Sequence, residues 1–141
     1  MNAKEYLQQL KKLDIQIAQR RDQLEELRLM ILSAADPSRE HVTGGKKPAD
    51  AAVVDYISRL EDREKEISEM IAAYLDLKAK IIDEIQSLPN PLHVQILYKR
   101  YVEYKKMERI AREMHYGYKY ISDLHRNALQ NFQKHQEKSG I

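Results

Sequence analysis

The sequence predicts an all-α protein, in which a long antiparallel two-helix coiled-coil hairpin is followed by a three-helix helix-turn-helix module. Three observations lead to this prediction. Apolar residues recur with a heptad period through most of residues 3–88. Gly and Pro number only four each among 141 residues, and none interrupts the first periodic run. After residue 91, short amphipathic segments separated by turn signals replace the long period.

The first helix is predicted over about residues 3–35. Its apolar seam has spacings of 3, 4, 7, 3 and 4 and consists of Leu10, Leu13, Ile17, Leu24, Leu27 and Ile31. Arg20 occupies the one seam position that breaks this pattern. The helix is expected to end at Asp36-Pro37, because the residue before a proline is pushed out of the α region. A loop of about a dozen residues then leads to the second helix.

The second helix is predicted over about residues 50–88. Apolar residues follow one another at intervals of seven, and they are Val53, Leu60, Ile67, Tyr74, Ile81 and Leu88. Further apolar residues widen this stripe beyond a simple seam, which indicates packing against more than one neighbour. Either the C-terminal module packs on the hairpin, or two hairpins form a four-helix bundle. We favour the second interpretation, a homodimer formed through residues 1–88.

Charge and tyrosine divide the chain into two parts. Residues 1–90 carry 14 Lys and Arg against 17 Asp and Glu, whereas residues 91–141 carry 10 against 5. Six of the nine tyrosines lie between residues 98 and 120. A basic, tyrosine-bearing terminal module favours a polyanionic partner.

Residues 91–135 form the predicted module, and residues 136–141 a flexible tail. Asn90 is a suitable cap, and Pro91 suits the first turn of a helix. Three short helices follow, over residues 92–101, 107–114 and 118–134, with a tight break at residues 115–117. The third helix is expected to bury one stripe, formed by Ile121, Leu124, Ala128 and Phe132.

Residues 100–132, which read RYVEYKKMERIAREMHYGYKYISDLHRNALQNF, resemble the helix-turn-helix of region 4 in bacterial sigma factors. The shared elements are the pair Ile110-Ala111, the apolar residues Met114 and Tyr116 around the turn, and a following rhythm of Ile121, Leu124, Ala128 and Leu129. The whole chain is similar to a family of small phage proteins of low-G+C Gram-positive bacteria, described as sigma-like or late-operon transcription regulators. Three residues depart from the pattern, and one of them is Asp123, which stands at an outward position where Gln or a basic residue is common. His115 stands where Gly or Asn usually adopts a positive φ, and Gly117 replaces a capping Ser or Thr.

The resemblance implies that the third helix enters the major groove of DNA with its N-terminal residues near the bases. By position, the residues expected at base edges are Tyr118, Lys119, Ser122 and Asp123. Those expected at phosphates, where contacts supply affinity rather than sequence choice, are Lys105, Lys106, Arg109, Arg112 and Arg126.

The function predicted from these observations is a sequence-specific, DNA-binding transcription regulator of phage type. Its expected partners are double-stranded DNA, a second copy of the chain and, by resemblance alone, host RNA polymerase. Two alternatives stay open. One is a DNA-packaging protein resembling a small terminase subunit, and the other is a protein-interaction module that does not bind DNA.

Several other classes are not expected. Cys is absent, which excludes disulfides, zinc ribbons and thiol nucleophiles. The histidines lack metal-site spacing, and no Ser-His-Asp arrangement is visible, so we expect no metal, no cofactor and no catalysis. No stretch approaches the ~18 apolar residues of a membrane span. The first 30 residues mix both charge signs, unlike a secretory signal, so a cytoplasmic protein is expected.

Overall fold

The computed structural model describes residues 1–34 and 48–139, and all regular elements in these ranges are helical. The α-helices are α1 (Ala3–Ala34), α2 (Pro48–Gln86), α3 (Pro91–Leu97), α4 (Met107–Met114) and α5 (Tyr118–Ser139), and a π-helical segment (Tyr98–Val102) follows α3. The predicted all-α class is confirmed. The loop predicted after α1 lies outside the described residues. α2 begins at residue 48, two residues earlier than expected, because proline is well tolerated in the first helical turn.

The chain divides into two compact units. The first unit combines Met1–Asp14 with Tyr74–Ile141, and the second is Ile15–Ala73. The first unit has one continuous core, which contains Ala3, Leu7, Leu10, Ile81, Ile85, Leu88, Ile96, Leu97, Tyr101, Val102, Ile110, Ala111, Ile121, Leu124, Ala128 and Phe132. The C-terminal helices therefore share their core with the beginning of α1 and the end of α2.

The link between α3 and α4 contains an extra residue within a helical turn. The Asn90 side chain accepts a hydrogen bond from the Leu92 backbone N–H at 2.9 Å, as a helix cap does. The single helix predicted over residues 92–101 instead changes to a π turn, in which the Glu103 N–H donates to the Tyr98 carbonyl at 3.1 Å. This wider turn directs both Tyr101 and Val102 into the core.

A tight turn joins α4 to α5. His115 adopts the left-handed conformation, with φ 61° and ψ 41°, which confirms the positive φ expected at this position. The backbone N–H of Tyr116 donates to the Ala111 carbonyl at 3.1 Å, and that of His115 donates to the Arg112 carbonyl at 3.3 Å. This pair of bonds is a Schellman motif, which satisfies the last carbonyls of α4.

α5 buries the stripe that the sequence predicts, formed by Ile121, Leu124, Ala128 and Phe132. The helix continues to Ser139, so residues 136–139 of the predicted tail are helical. No helix-breaking residue occurs in this stretch before Gly140.

The second unit buries much less apolar surface. Only Ile17, Leu24 and Ile67 are buried among its described residues. Arg20, which breaks the seam of α1, lies 3.6 Å from the Glu66 carboxylate on α2, so its charge is paired across the two helices. Large apolar side chains on both helices remain exposed, and they are Ile15, Leu29, Met30, Leu32, Val54 and Ile57.

Across the described ranges, none of the helices combines the length and the apolar character that crossing a membrane requires.

Candidate nucleic-acid interface

The outward sides of α4 and of the first turns of α5 carry most of the predicted contact residues. Ile110 and Ala111 of α4 and Ile121 and Leu124 of α5 are buried, so the opposite sides of these helices face solvent. The exposed side chains on these sides are Lys106, Arg109, Arg112, Tyr116, Tyr118, Lys119, Tyr120 and Arg126. We call this set the α4–α5 outer face.

The four residues expected at base edges lie within the first two turns of α5. Tyr118 and Lys119 are exposed, whereas Ser122 and Asp123 are half-buried. The Asp123 carboxylate lies 3.4 Å from the Arg126 guanidinium. A predicted base contact and a predicted phosphate contact are therefore ion-paired on the same helix.

The five residues expected at phosphates fall into two groups. Lys106 and Arg112 are exposed, and neither forms an ion pair with any described residue. Lys105, Arg109 and Arg126, in contrast, each have a carboxylate partner. The two unpaired cations are consequently the ones whose charge is fully available to a polyanion.

Glu113 joins three cations into one cluster. Its Oε1 accepts hydrogen bonds from Lys99 Nζ at 2.7 Å and from Lys105 Nζ at 2.8 Å, and its Oε2 accepts one from Arg109 Nε at 3.0 Å. The Lys105 hydrogen bond, followed by that of Lys99, lowers the pKa of Glu113 to about 2. The same bond raises the pKa of Lys105. We call these four residues the Glu113 cluster.

Sequence reasoning did not single out Glu113. The i,i+4 spacing of Arg109 and Glu113 was visible as a helical ion pair. Lys99 and Lys105, however, come from the π turn and the segment after it, whose path the sequence pattern did not reveal.

Two side-chain contacts help to hold the segment between the π turn and α4. Arg100 Nη1 donates to the Lys105 carbonyl at 2.9 Å. Tyr104 adopts a positive φ of 59°, and its hydroxyl lies 3.2 Å from that of Tyr74 on α2. Burial is the largest cause of a raised pKa at Tyr104, which keeps this phenol neutral. These contacts fix the backbone from which Lys105 and Lys106 extend.

The tyrosine-rich window divides into inward and outward residues. Tyr101 is only 5% exposed and belongs to the core, and Tyr98 and Tyr104 are packed against it. Tyr116, Tyr118 and Tyr120 are 41%, 55% and 46% exposed. The rings of Tyr116 and Tyr120 contact each other, with centroids 4.5 Å apart and planes tilted by 33°. We call these three exposed residues the tyrosine patch.

His93 and His125 take part in packing. His93 is buried, and its Nδ1 lies 3.0 Å from Asn131 Nδ2. His125 Nε2 lies 2.7 Å from the Tyr101 hydroxyl. Burial lowers the pKa of both rings, that of His125 to about 4. Within the described part of the chain, no group of three or more His, Cys, Asp or Glu side chains is placed to hold a metal ion.

Comparisons with known protein families, with curated proteins and with solved structures return no match for this chain. The function must therefore follow from the residues themselves. The relevant features are the α4–α5 turn, the unpaired cations and the tyrosine patch.

Proposed function

We propose that the protein is a sequence-specific DNA-binding transcription regulator of phage type. In this proposal α4, its turn and α5 form a helix-turn-helix, and α5 is the recognition helix. The observation that carries the proposal is the turn at His115, which joins the short helix α4 to α5 with a left-handed residue and a Schellman motif. The resemblance of residues 100–132 to sigma region 4 supports the same assignment.

Packing between the two helices is consistent with this motif. Ala111 is buried on α4, opposite the apolar stripe that α5 turns inward. A larger side chain at this position would hold the two helices apart. Close packing leaves the N-terminal turns of α5 free to approach a duplex, as a recognition helix requires.

The exposure and the ion pairing of the side chains support the proposed contacts. Lys119, Ser122 and Asp123 are proposed at base edges, where a carboxylate accepts a hydrogen bond from a cytosine amino group, and Tyr118 is proposed at a thymine methyl. Lys106 and Arg112 are the strongest candidates for phosphates, because they are exposed and unpaired. The remaining phosphate contacts, Lys105, Arg109 and Arg126, share their charge with carboxylates.

We further propose that α1 and α2 form an antiparallel hairpin through which two copies associate. In the first unit the Tyr6 hydroxyl donates to Glu84, and in the second unit Arg28 lies 3.1 Å from Glu64. The exposed apolar residues of the second unit supply surface for another copy. A dimer presents two recognition helices to two half-sites. Host RNA polymerase as a further partner follows from the resemblance.

Fluorescence anisotropy tests the proposal. The purified chain is titrated into labelled upstream DNA and into a scrambled duplex, at about 50 mM and about 200 mM salt. We expect tighter, salt-sensitive binding to the upstream fragment. Lys119→Ala with Arg126→Ala should abolish this binding without changing helicity. Arg21→Ala with Lys65→Ala is the matched control, because it removes the same charge from exposed positions of the second unit.

Other results would redirect the assignment. Unchanged binding by the α5 variant would contradict the contact residues. Equal binding to both duplexes by a ring of eight or more chains would favour a packaging role like that of a small terminase subunit. Absence of binding to either duplex would favour a protein-interaction module.

A further inference from the structure

We propose that the tyrosine patch binds the unpaired bases of a single-stranded nucleic acid. The ligand class is a flexible polyanion whose bases can stack on exposed phenol rings. This activity goes beyond duplex recognition and does not depend on it, because an unpaired base requires neither a recognition helix in a groove nor two half-sites.

Solvent exposure is the first observation that supports the proposal. Tyr116, Tyr118 and Tyr120 fall within five residues, and each is at least 41% exposed. Tyr101, in the same tyrosine-rich window, is almost completely buried and hydrogen-bonded to His125. The core therefore uses its own tyrosines, and packing of this unit does not account for three large aromatic side chains left in solvent.

Tyr116 gives this observation more weight. The residue lies at the α4–α5 turn and belongs to the apolar pattern on which the resemblance rests. Its ring is nevertheless exposed and rests on Tyr120, with centroids 4.5 Å apart. The two rings support each other, and the exposed part of each ring is open to stacking with a planar group such as a base.

Stacking on exposed rings favours unpaired bases over paired ones as the ligand. Every base has a π-face, and stacking on an aromatic side chain is a common way of binding single strands without sequence preference. Bases within a duplex already stack on their neighbours, so an exposed phenol ring reaches only their edges. A flexible single strand can instead place one base on each ring.

Charge complementarity provides the second, independent observation. Lys119 lies between Tyr118 and Tyr120 in the chain, and Arg112 lies on the last turn of α4. Both are exposed and have no carboxylate partner among the described residues. Glu113, the carboxylate in the last turn of α4, is occupied by its three cations. Exposed aromatic rings together with free cations suit the alternating bases and phosphates of a single strand.

Binding of labelled oligonucleotides tests the proposal. Oligo-dT and oligo-U of about 15 nucleotides are titrated with the full chain at about 50 mM and about 200 mM salt. Tyr116→Leu with Tyr120→Leu should weaken binding by about 10- to 100-fold, because it removes the stacking surface while keeping apolar bulk. Tyr116→Phe with Tyr120→Phe should bind within about twofold of wild type, since phenylalanine keeps the π-face.

Controls separate stacking from folding and from duplex recognition. Tyr56→Leu changes a half-buried tyrosine of the second unit and should leave binding unchanged. Circular dichroism should show equal helicity for all variants. Binding of either oligonucleotide with the expected order of variants supports the proposal. Absence of binding to both, or a leucine variant within twofold of wild type, overturns it. The duplex titration, run in parallel, shows separately whether the proposed regulator function holds.

Discussion

The two compact units use the same kind of apolar pattern with different results. Sixteen apolar residues share the core of the first unit, whereas three are buried in the described part of the second. The heptad seam of α1 passes through both units. In the first unit the seam shares its core with α3, α4 and α5, and in the second it meets only α2 among the described residues. A heptad pattern therefore predicts which side of a helix turns inward, but the number of packed neighbours determines how much surface is buried.

Polar interactions between helices are also less exposed in the first unit than in the second. In the first unit, Glu84 accepts hydrogen bonds from Tyr6 on α1 and from Gln136 on α5, which joins three helices. In the second unit, the Arg28–Glu64 pair has both side chains nearly half exposed. Exposed ion pairs contribute about 0–1 kcal/mol. The stability of the first unit thus depends on packing together with partly buried polar contacts.

The largest effect is expected from truncating the same residue type in each unit. Leu7 is completely buried in the first unit, and Leu24, on the same helix, is 8% exposed in the second. Leu7→Ala should lower the free energy of unfolding by about 3 kcal/mol or more, and Leu24→Ala by about 1–2 kcal/mol, because the narrower core collapses more easily around the gap. Urea unfolding measures both. Equal losses would remove the distinction between the units.

A second test uses the exposed apolar surface of the second unit. Leu29→Glu with Leu32→Glu should weaken association of two copies by about 100-fold, since carboxylates in an apolar interface lose their hydration. Sedimentation equilibrium measures the association. Leu75→Glu is the control, because Leu75 is as exposed as Leu29 but belongs to the first unit. A double variant that remains dimeric, or an equal effect of the control, would contradict association through the second unit.

The smallest expected effect is the pH-dependent contribution of Glu113 to the free energy of unfolding. Its pKa in the folded chain is about 2, below the ordinary 4.5, because Lys105 and Lys99 donate hydrogen bonds to the carboxylate. Its contribution to stability is therefore complete above about pH 4.5 and is lost as the pH falls through about 2. Glu113→Gln should reduce the free energy of unfolding at neutral pH. The difference in this free energy between the variant and wild type should disappear as the pH falls from about 4.5 through about 2.

Urea unfolding at a series of pH values measures this difference. Glu64→Gln, which removes an exposed ion pair of the second unit, is the matched variant and should have a smaller effect at neutral pH. A difference for Glu113→Gln that stays constant down to pH 2 would exclude the ion pairs as its source.

Local signals made several elements predictable. The bounds of α4 match the predicted residues 107–114, because its apolar pattern ends where His115 introduces a turn. The cap at Asn90 is predictable from that single residue. The buried stripe of α5 is predictable from the helical period of its apolar residues. In each case the signal lies within a few residues of the structure that it specifies.

Other features depend on distant parts of the chain and were not predictable. The π turn accommodates both Tyr101 and Val102 in the core, which no local period indicates. The Glu113 cluster draws Lys99 and Lys105 towards α4 from outside that helix. The shared core of α1 with the C-terminal helices requires knowledge of which helix ends meet. The predicted contact residues lie on α4, on α5 and in the segment before α4, and their ligand remains a prediction.

The Glu113 cluster has a consequence for counterions. Each phosphate neutralised by a free cation releases about 0.9 of a condensed counterion from a duplex. Lys105, Arg109 and Arg126 are already paired with carboxylates of the chain, so transferring them to phosphates frees those carboxylates, which then attract cations from the solution. The slope of log affinity against log salt is therefore expected to be smaller than the slope that five free cations would give. The binding of a polyanion to this basic surface is thus expected to depend less on salt than the number of its basic residues implies.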